Sequence, residues 1–249
     1  MYFNNAQCDI YIGTGAGKKL MEEMTLARKS VKIVSPFLSA PLLEGLNELH
    51  QKGVKVELIT TADDDQRYGK LQNLIRQNVH IDGRARKQRK RLKIAVWGCY
   101  AMVGMGLVAS WWFFIQQALQ PVLVSLALTT LAGLGAWLFR FLVRNKRVYS
   151  YTYEPIFPLK VVPQTNTFGQ RTTYLHSKIY IIDDRIAYLG SLNFTRSGTE
   201  HNYETRVRLT DGPSVHKIVE EFRYLMDEAS FPELDVQLFG KSHFKEIIN

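Results

Sequence analysis

Residues 174–195 read YLHSKIYIIDDRIAYLGSLNFT, and the fold turns on how this stretch is understood. Lys178–Ile182 and Ile186–Leu189 are rich in β-branched and aromatic residues and flank Asp183-Asp184-Arg185, the pattern of a β-hairpin within a strand region from Tyr174 to Leu189. On a strand, residues two apart share a face, so His176 and Lys178 point the same way, and Ser191 and Asn193 do so on the next strand. Four polar side chains then converge on one sheet edge, beside Gly190, which leaves room for a ligand. An imidazole nucleophile among ammonium, hydroxyl and amide donors suits a phosphoryl centre, because the donors neutralise charge that develops on the equatorial oxygens. That chemistry needs no metal and no cofactor. Glu204, in Asn202-Tyr203-Glu204, is placed to orient a histidine and fix its tautomer.

These residues resemble the phospholipase D superfamily. Its signature is His-x-Lys, four residues, Asp, six residues, then Gly-Ser-x-Asn; His176, Lys178, Asp183, Gly190, Ser191 and Asn193 meet it without a mismatch. His-x-Lys alone is unspecific: His50-Gln51-Lys52 and His243-Phe244-Lys245 also match, lack the rest, and read as solvated helix positions. Phe194-Thr195 and Asn202 to Glu204 are similar to the small bacterial single-motif members of nuclease type. The resemblance implies a metal-independent phosphodiesterase in which one histidine forms a phosphohistidine and another protonates the leaving group. It casts Asp183 as holding the motif together. One motif per chain implies a homodimer with two His176 side chains facing across a twofold axis.

The residues before and after complete an α/β chain, a mixed sheet flanked by helices. Leu20–Ala27 is a short helix, Val31–Pro36 a strand, Pro41–Gln51 an amphipathic helix closed by Gly53, and Val54–Ile59 a strand parallel to the first. Asp63-Asp64-Asp65 opens a helix running to about Gln77, three carboxylates read as a cap complementing the helix dipole. Val148–Tyr153 and Lys160–Val162 are strands, and Val215–Glu228 is an amphipathic helix. Gly13-Thr14-Gly15-Ala16-Gly17-Lys18-Lys19 looks superficially like a phosphate-binding loop, but Ile12 and Lys19 break that motif and no strand–loop–helix context supports it, leaving a helix-leading turn.

Between the two halves lies a different kind of sequence. Ile94 to Phe139 is 46 residues without Lys, Arg, Asp or Glu. It divides at Gln116–Pro121 into spans of 94–115 and 121–143, each covering roughly 33 Å against a hydrocarbon core of about 30 Å. Trp97, Trp111, Trp112 and Trp137 fall near the span ends, and Gly106/Ser110 and Ala132/Ala136 have small-xxx-small spacing. The basic flanks put both ends in the cytoplasm and the glutamine-rich turn outside. An even number of spans also lets strands on either side join one sheet. The expected organisation is a catalytic domain in two parts, 1–83 and 148–249, interrupted at 84–147 by a transmembrane hairpin of the cell (inner) membrane, with a cytoplasmic active site.

The net charge of +9 suggests a polyanion partner, either nucleic acid or a membrane face. Arg84, Arg86, Lys87, Arg89, Lys90, Arg91 and Lys93, with Arg140, Arg144, Lys146 and Arg147, supply eleven positive charges. The remainder has 32 − 11 = 21 basic against 23 acidic residues, so the excess belongs to the hairpin flanks. A phospholipid membrane supplying an anionic phosphodiester substrate is the preferred reading, and a tethered nuclease acting on nucleic acid is the alternative. Cys8 and Cys99 are too few for a disulfide framework and read as buried thiols.

Overall fold

A computed structural model of the chain describes residues 6–62, 65–163, 175–228 and 232–247. The elements in chain order are β1 (Cys8–Thr14), α1 (Lys18–Thr25), β2 (Ser30–Val34), α2 (Ala40–Gln51), β3 (Lys55–Ala62), α3 (Asp65–Gln72), β4 (Ile75–Ile81), α4 (Gly83–Ile115), α5 (Leu119–Asn145), β5 (Tyr149–Pro155), β6 (Leu159–Pro163), β7 (Ile179–Ile182), β8 (Ile186–Gly190), β9 (Tyr203–Leu209), α6 (Gly212–Arg223) and α7 (Val236–His243). Single π-helical turns cover Ser197–His201 and Tyr224–Glu228. Seven strands form one mixed sheet in the order β1-β9-β8-β7-β2-β3-β6, and β4 pairs with β5 separately. Contacts divide the chain into two compact units, Met1–Gln77 with Tyr153–Phe244 and Asn78–Thr152 with Lys245–Asn249.

The first unit holds the sheet. β2 and β7 are buried along their whole length, the condition of central strands covered on both faces. β2 runs parallel to β3 and β3 to β6, while β7, β8 and β9 are antiparallel to their neighbours. Strands from before residue 83 and after residue 145 therefore interleave in one sheet. Val215, Ile218, Val219 and Phe222 of α6 recur at helical spacing and pack on Val34, Ile59, Ile181, Ala187 and Leu209, while α1 and α2 bury Leu20, Met24, Leu43, Leu46 and Leu49. Buried charges are partnered. Lys160 Nζ donates to the carbonyls of Leu225 and Met226 at 2.9 and 3.1 Å, satisfying the turn that ends α6. Glu23 of α1 takes a two-point contact from Arg208 of β9 at 2.8 and 3.2 Å and accepts from the Tyr188 hydroxyl of β8.

Several expectations need correction. The helix expected to reach Gln77 stops at Gln72, because Ile75–Ile81 finds a strand partner in Tyr149–Pro155, a pairing invisible to local periodicity. β1, β9 and α7 are further elements beyond those expected, and β1 supplies a strand–turn–helix context for the glycine-rich turn, contrary to expectation. That strand lies antiparallel to β9 at the sheet edge, so the turn still only leads into α1. Cys8 is exposed at the start of this edge strand, whereas Cys99 is buried. Asp63, Asp64 and Tyr174 lie outside the described residues, and α3 begins at Asp65.

In the second unit, α4 and α5 form an antiparallel hairpin around a turn in which Gln117 takes φ 52°. Both helices are long and apolar enough to cross a membrane by length and composition. The basic stretch from Arg84 is helical and continuous with the apolar run, and Asp82 caps it by accepting from the backbone N–H groups of Arg84 and Ala85. Small residues do line the seam. Ser110 Oγ lies 2.7 Å from Ser125 Oγ, and a Cβ added at Gly106 would fall 2.1 Å from Thr129 Oγ1. The four tryptophans are between 61 and 74% exposed, and most of the hairpin's leucines are exposed as well, so the outer faces are apolar and uncovered.

Candidate active site

β2, β3 and β6 are parallel and β7 and β9 run opposite to β2, so one end of the sheet gathers the C-termini of β2, β3, β6 and β8 and the N-termini of β7 and β9. Open α/β sheets carry ligands at the carboxyl ends of their parallel strands. His176, Lys178, Ser191, Asn193 and Glu204 all stand at this end. His176 and Lys178 lie just before β7, and Ser191 and Asn193 just after β8, outside the strands in which they were expected.

The imidazole of His176 is exposed, while Lys178 is buried. Lys178 Nζ sits 2.9 Å from His176 Nδ1 and 3.1 Å from Nε2, and donates to the His176 carbonyl at 2.8 Å. Burial pulls the Lys178 ammonium below the ordinary lysine range, and the Glu204 carboxylate only partly restores it. Glu204, itself buried, accepts from the Ser191 hydroxyl and, at 3.1 Å, from Asn202 Nδ2. Its hydrogen bonds to Ser191 and Asn202 anchor the loop after β8. Thr205 N donates to Ser191 Oγ at 3.0 Å, so that hydroxyl is fixed on both sides. Asn193 is half-buried, and its Oδ1 has no hydrogen-bond partner among the described residues.

Gly190 makes room for the neighbouring strand and not for a ligand: a Cβ there would fall 2.0 Å from the Thr205 carbonyl oxygen. Asp183 stands at the far end of β7, four strand residues or roughly 13 Å away. It has φ 54°, as the β7–β8 turn requires, and its carboxylate accepts from the backbone N–H groups of Arg28, Lys29 and Ser30 at 2.6 to 3.1 Å. Burial raises its pKa, but these N–H groups and Lys29 outweigh it and hold the carboxyl below its usual range. Two further positioning groups carry no motif or spacing signal. Ser35 Oγ accepts from Phe194 N at 2.9 Å, and the Tyr180 hydroxyl donates to the Leu192 carbonyl at 2.7 Å, so both hold the loop that carries Ser191 and Asn193. The other two His-x-Lys matches lie elsewhere: His50 is half-buried edge-on to Phe157, and His243 stacks on Phe239.

The cluster offers an exposed imidazole beside a buried ammonium, with a hydroxyl and an amide at the same end of a mixed sheet, donor types that suit a phosphoryl group. Residues 144–226 match the family model described as the PLD-like domain of cardiolipin synthase. Within that stretch lie His176, Lys178, Asp183, Gly190, Ser191 and Asn193, so the part of the chain that carries the signature is the part similar to that family. It is 27% identical over 145 residues to cardiolipin synthase 2 of Bacillus anthracis, covering 57% of this chain and 27% of that one. A cardiolipin synthase of Geobacillus kaustophilus is 24% identical over 126 residues, 51% of this chain and 25% of that one. The chain thus spans about a quarter of the length of the curated relatives it matches. Among solved structures, NucT from Helicobacter pylori aligns over 92% of this chain and 99% of its own at 16% identity and a TM-score of 0.46.

Proposed function

We propose that the chain is a membrane-bound phosphodiesterase of phospholipase D type that acts on phospholipid head groups through a phosphohistidine at His176. The observation that carries this reading is an exposed imidazole whose ring nitrogens lie 2.9 and 3.1 Å from a buried lysine ammonium. In the proposed step a His176 nitrogen attacks phosphorus, the phosphorus–oxygen bond to the leaving alcohol breaks, and that oxygen takes its proton from a second histidine. Lys178 and the Asn193 amide face the equatorial oxygens as charge builds there. The second histidine then removes a proton from water or an alcohol, which attacks the phosphohistidine and frees His176. Each chain has one such histidine, so the second is His176 of the partner subunit in a homodimer.

Membrane attachment rests on α4 and α5, two helices of spanning length whose outer faces are apolar. Both ends of the hairpin face the cytoplasm in this reading, which keeps all seven strands of the sheet in one compartment. Lipid is favoured over nucleic acid because the positive excess sits beside the apolar spans, where each basic residue contributes about 1 kcal/mol toward anionic head groups.

The test is full-length protein in detergent, incubated with mixed phospholipids, with and without an alcohol acceptor, and separately with single-stranded DNA. Release or exchange of head group, abolished in His176→Ala, is the expected result. Cleavage of DNA without lipid turnover would overturn the lipid assignment, and full activity in His176→Ala would overturn the mechanism.

A further inference from the structure

The first turns of α4 carry Arg86, Lys87, Arg89, Lys90 and Lys93, which with Val148 and Tyr149 line a groove of about 520 Å³ within the second unit. No carboxylate is among the lining residues, and Gly83–Ile115 contains no Asp or Glu. At 100° per residue Arg86, Arg89, Lys90 and Lys93 fall within an arc of about 100°, while Arg84 and Arg91 lie on the opposite side of the helix. Stacking like charges at i, i+3 and i, i+4 on one stripe opposes helix formation, and placing them near the helix N-terminus opposes the dipole. The arrangement is unfavourable for the isolated chain and is relieved by an anion between the side chains. A second observation marks where that anion belongs: Arg89 Nε is buried and has no hydrogen-bond partner among the described residues. A buried guanidinium N–H needs an acceptor, and a phosphate oxygen meets it in the charge-assisted geometry arginine favours.

The structure assigns to this groove, we infer, a binding site for the phosphate of an anionic phospholipid head group, with Arg89 as its innermost donor and Lys90 and Lys93 at its mouth. The source of the phosphate follows from continuity. Arg89 is five residues, about 7.5 Å along one unbroken helix, from the start of the apolar run at Ile94. Where that run enters a bilayer, the groove stands at head-group depth. The site lies apart from the His176 cluster in sequence and residue content, and it would hold a lipid whether or not that lipid is turned over.

The test uses the full chain carrying His176→Ala, so that turnover cannot remove the ligand and the result is independent of the proposed activity. It is reconstituted in nanodiscs of phosphatidylcholine containing a minority of phosphatidylglycerol, and retained lipid is counted by native mass spectrometry. The expected result is retention of phosphatidylglycerol over phosphatidylcholine, reduced about tenfold by Arg89→Gln with Lys90→Gln and unchanged by the charge-matched pair Arg84→Gln with Arg91→Gln. Equal losses in the two pairs would show diffuse surface attraction and overturn the groove. Displacement of the lipid by millimolar inorganic phosphate, or preferential capture of single-stranded DNA by the same residues, would overturn the lipid assignment.

Discussion

Asp183 belongs to the signature yet stands at the opposite end of β7 from His176 and Lys178. Its carboxylate gathers three consecutive backbone N–H groups ahead of β2 and pins that chain entry to the β7–β8 turn. Because those N–H groups hold its pKa below the usual range, the stability it contributes is present above about pH 4 and is lost as the pH falls through the folded value. Asp183→Asn keeps a side chain that tolerates positive φ but loses the charge, and about 1–2 kcal/mol of stability is expected to go with it, limited by solvent screening at this half-exposed turn. Thermal unfolding of variant and parent checks this: the gap should be full at pH 6 and narrow below about pH 4, and a gap constant with pH would contradict the charge argument. Lys178 titrates in the other sense. Its ammonium is lowered by burial, so activity that depends on its charge should fall on the alkaline side below the ordinary lysine pKa of about 10.4. Lys178→Arg should move that fall to higher pH at a reduced maximum, measured as the pH profile of kcat/KM.

At the scale of elements, what the sequence disclosed was whatever is periodic or locally punctuated. The β7–β8 hairpin, the β2-α2-β3 crossover, the amphipathic face of α6 and the two apolar helices all announce themselves within a window of a dozen residues. What escaped was fixed by distant partners. β4 exists because β5 pairs with it some seventy residues later, and β1 is an edge strand exposed along most of its length, defined by its register with β9. The candidate site divides the same way: His176, Lys178, Ser191 and Asn193 are legible as spacing, while Ser35, just after β2, and Tyr180, within β7, seat the loop after β8 through tertiary contacts that no spacing reveals. The α4–α5 seam joins both kinds of information, since Gly106 is readable as a small residue but its closeness to Thr129 is tertiary. Gly106→Val should force the helices apart and cost about 1–3 kcal/mol, whereas Gly104→Val, where an added Cβ meets nothing within 4 Å, should cost much less. Unfolding of the two variants in mixed detergent micelles separates them, and equal losses would argue against close packing at Gly106.

For the whole molecule, the sheet imposes a constraint that no single element carries. Strands from both sides of the helical hairpin alternate in one sheet, so a membrane crossed by α4 must be crossed back by α5. The exposed thiol of Cys8 belongs to the sheet and Gln117 to the turn between the helices, so in the proposed topology they report on opposite sides. In intact cells an impermeant maleimide should label Gln117→Cys and leave Cys8 unlabelled until lysis; labelling of Cys8 in intact cells would refute the topology. The supply of histidines sets the other molecular constraint. Under the proposed mechanism, one signature per chain means that phosphohistidine formation and leaving-group protonation need two copies, so a dimer containing a single His176→Ala subunit would lack either the nucleophile or the acid. Co-assembling parent and variant chains in varying ratio then discriminates between assemblies. If two histidines act together, activity follows the square of the parent fraction, about a quarter at an equal mixture, whereas independent subunits give about a half. A linear dependence would require the second proton carrier to come from within the same chain.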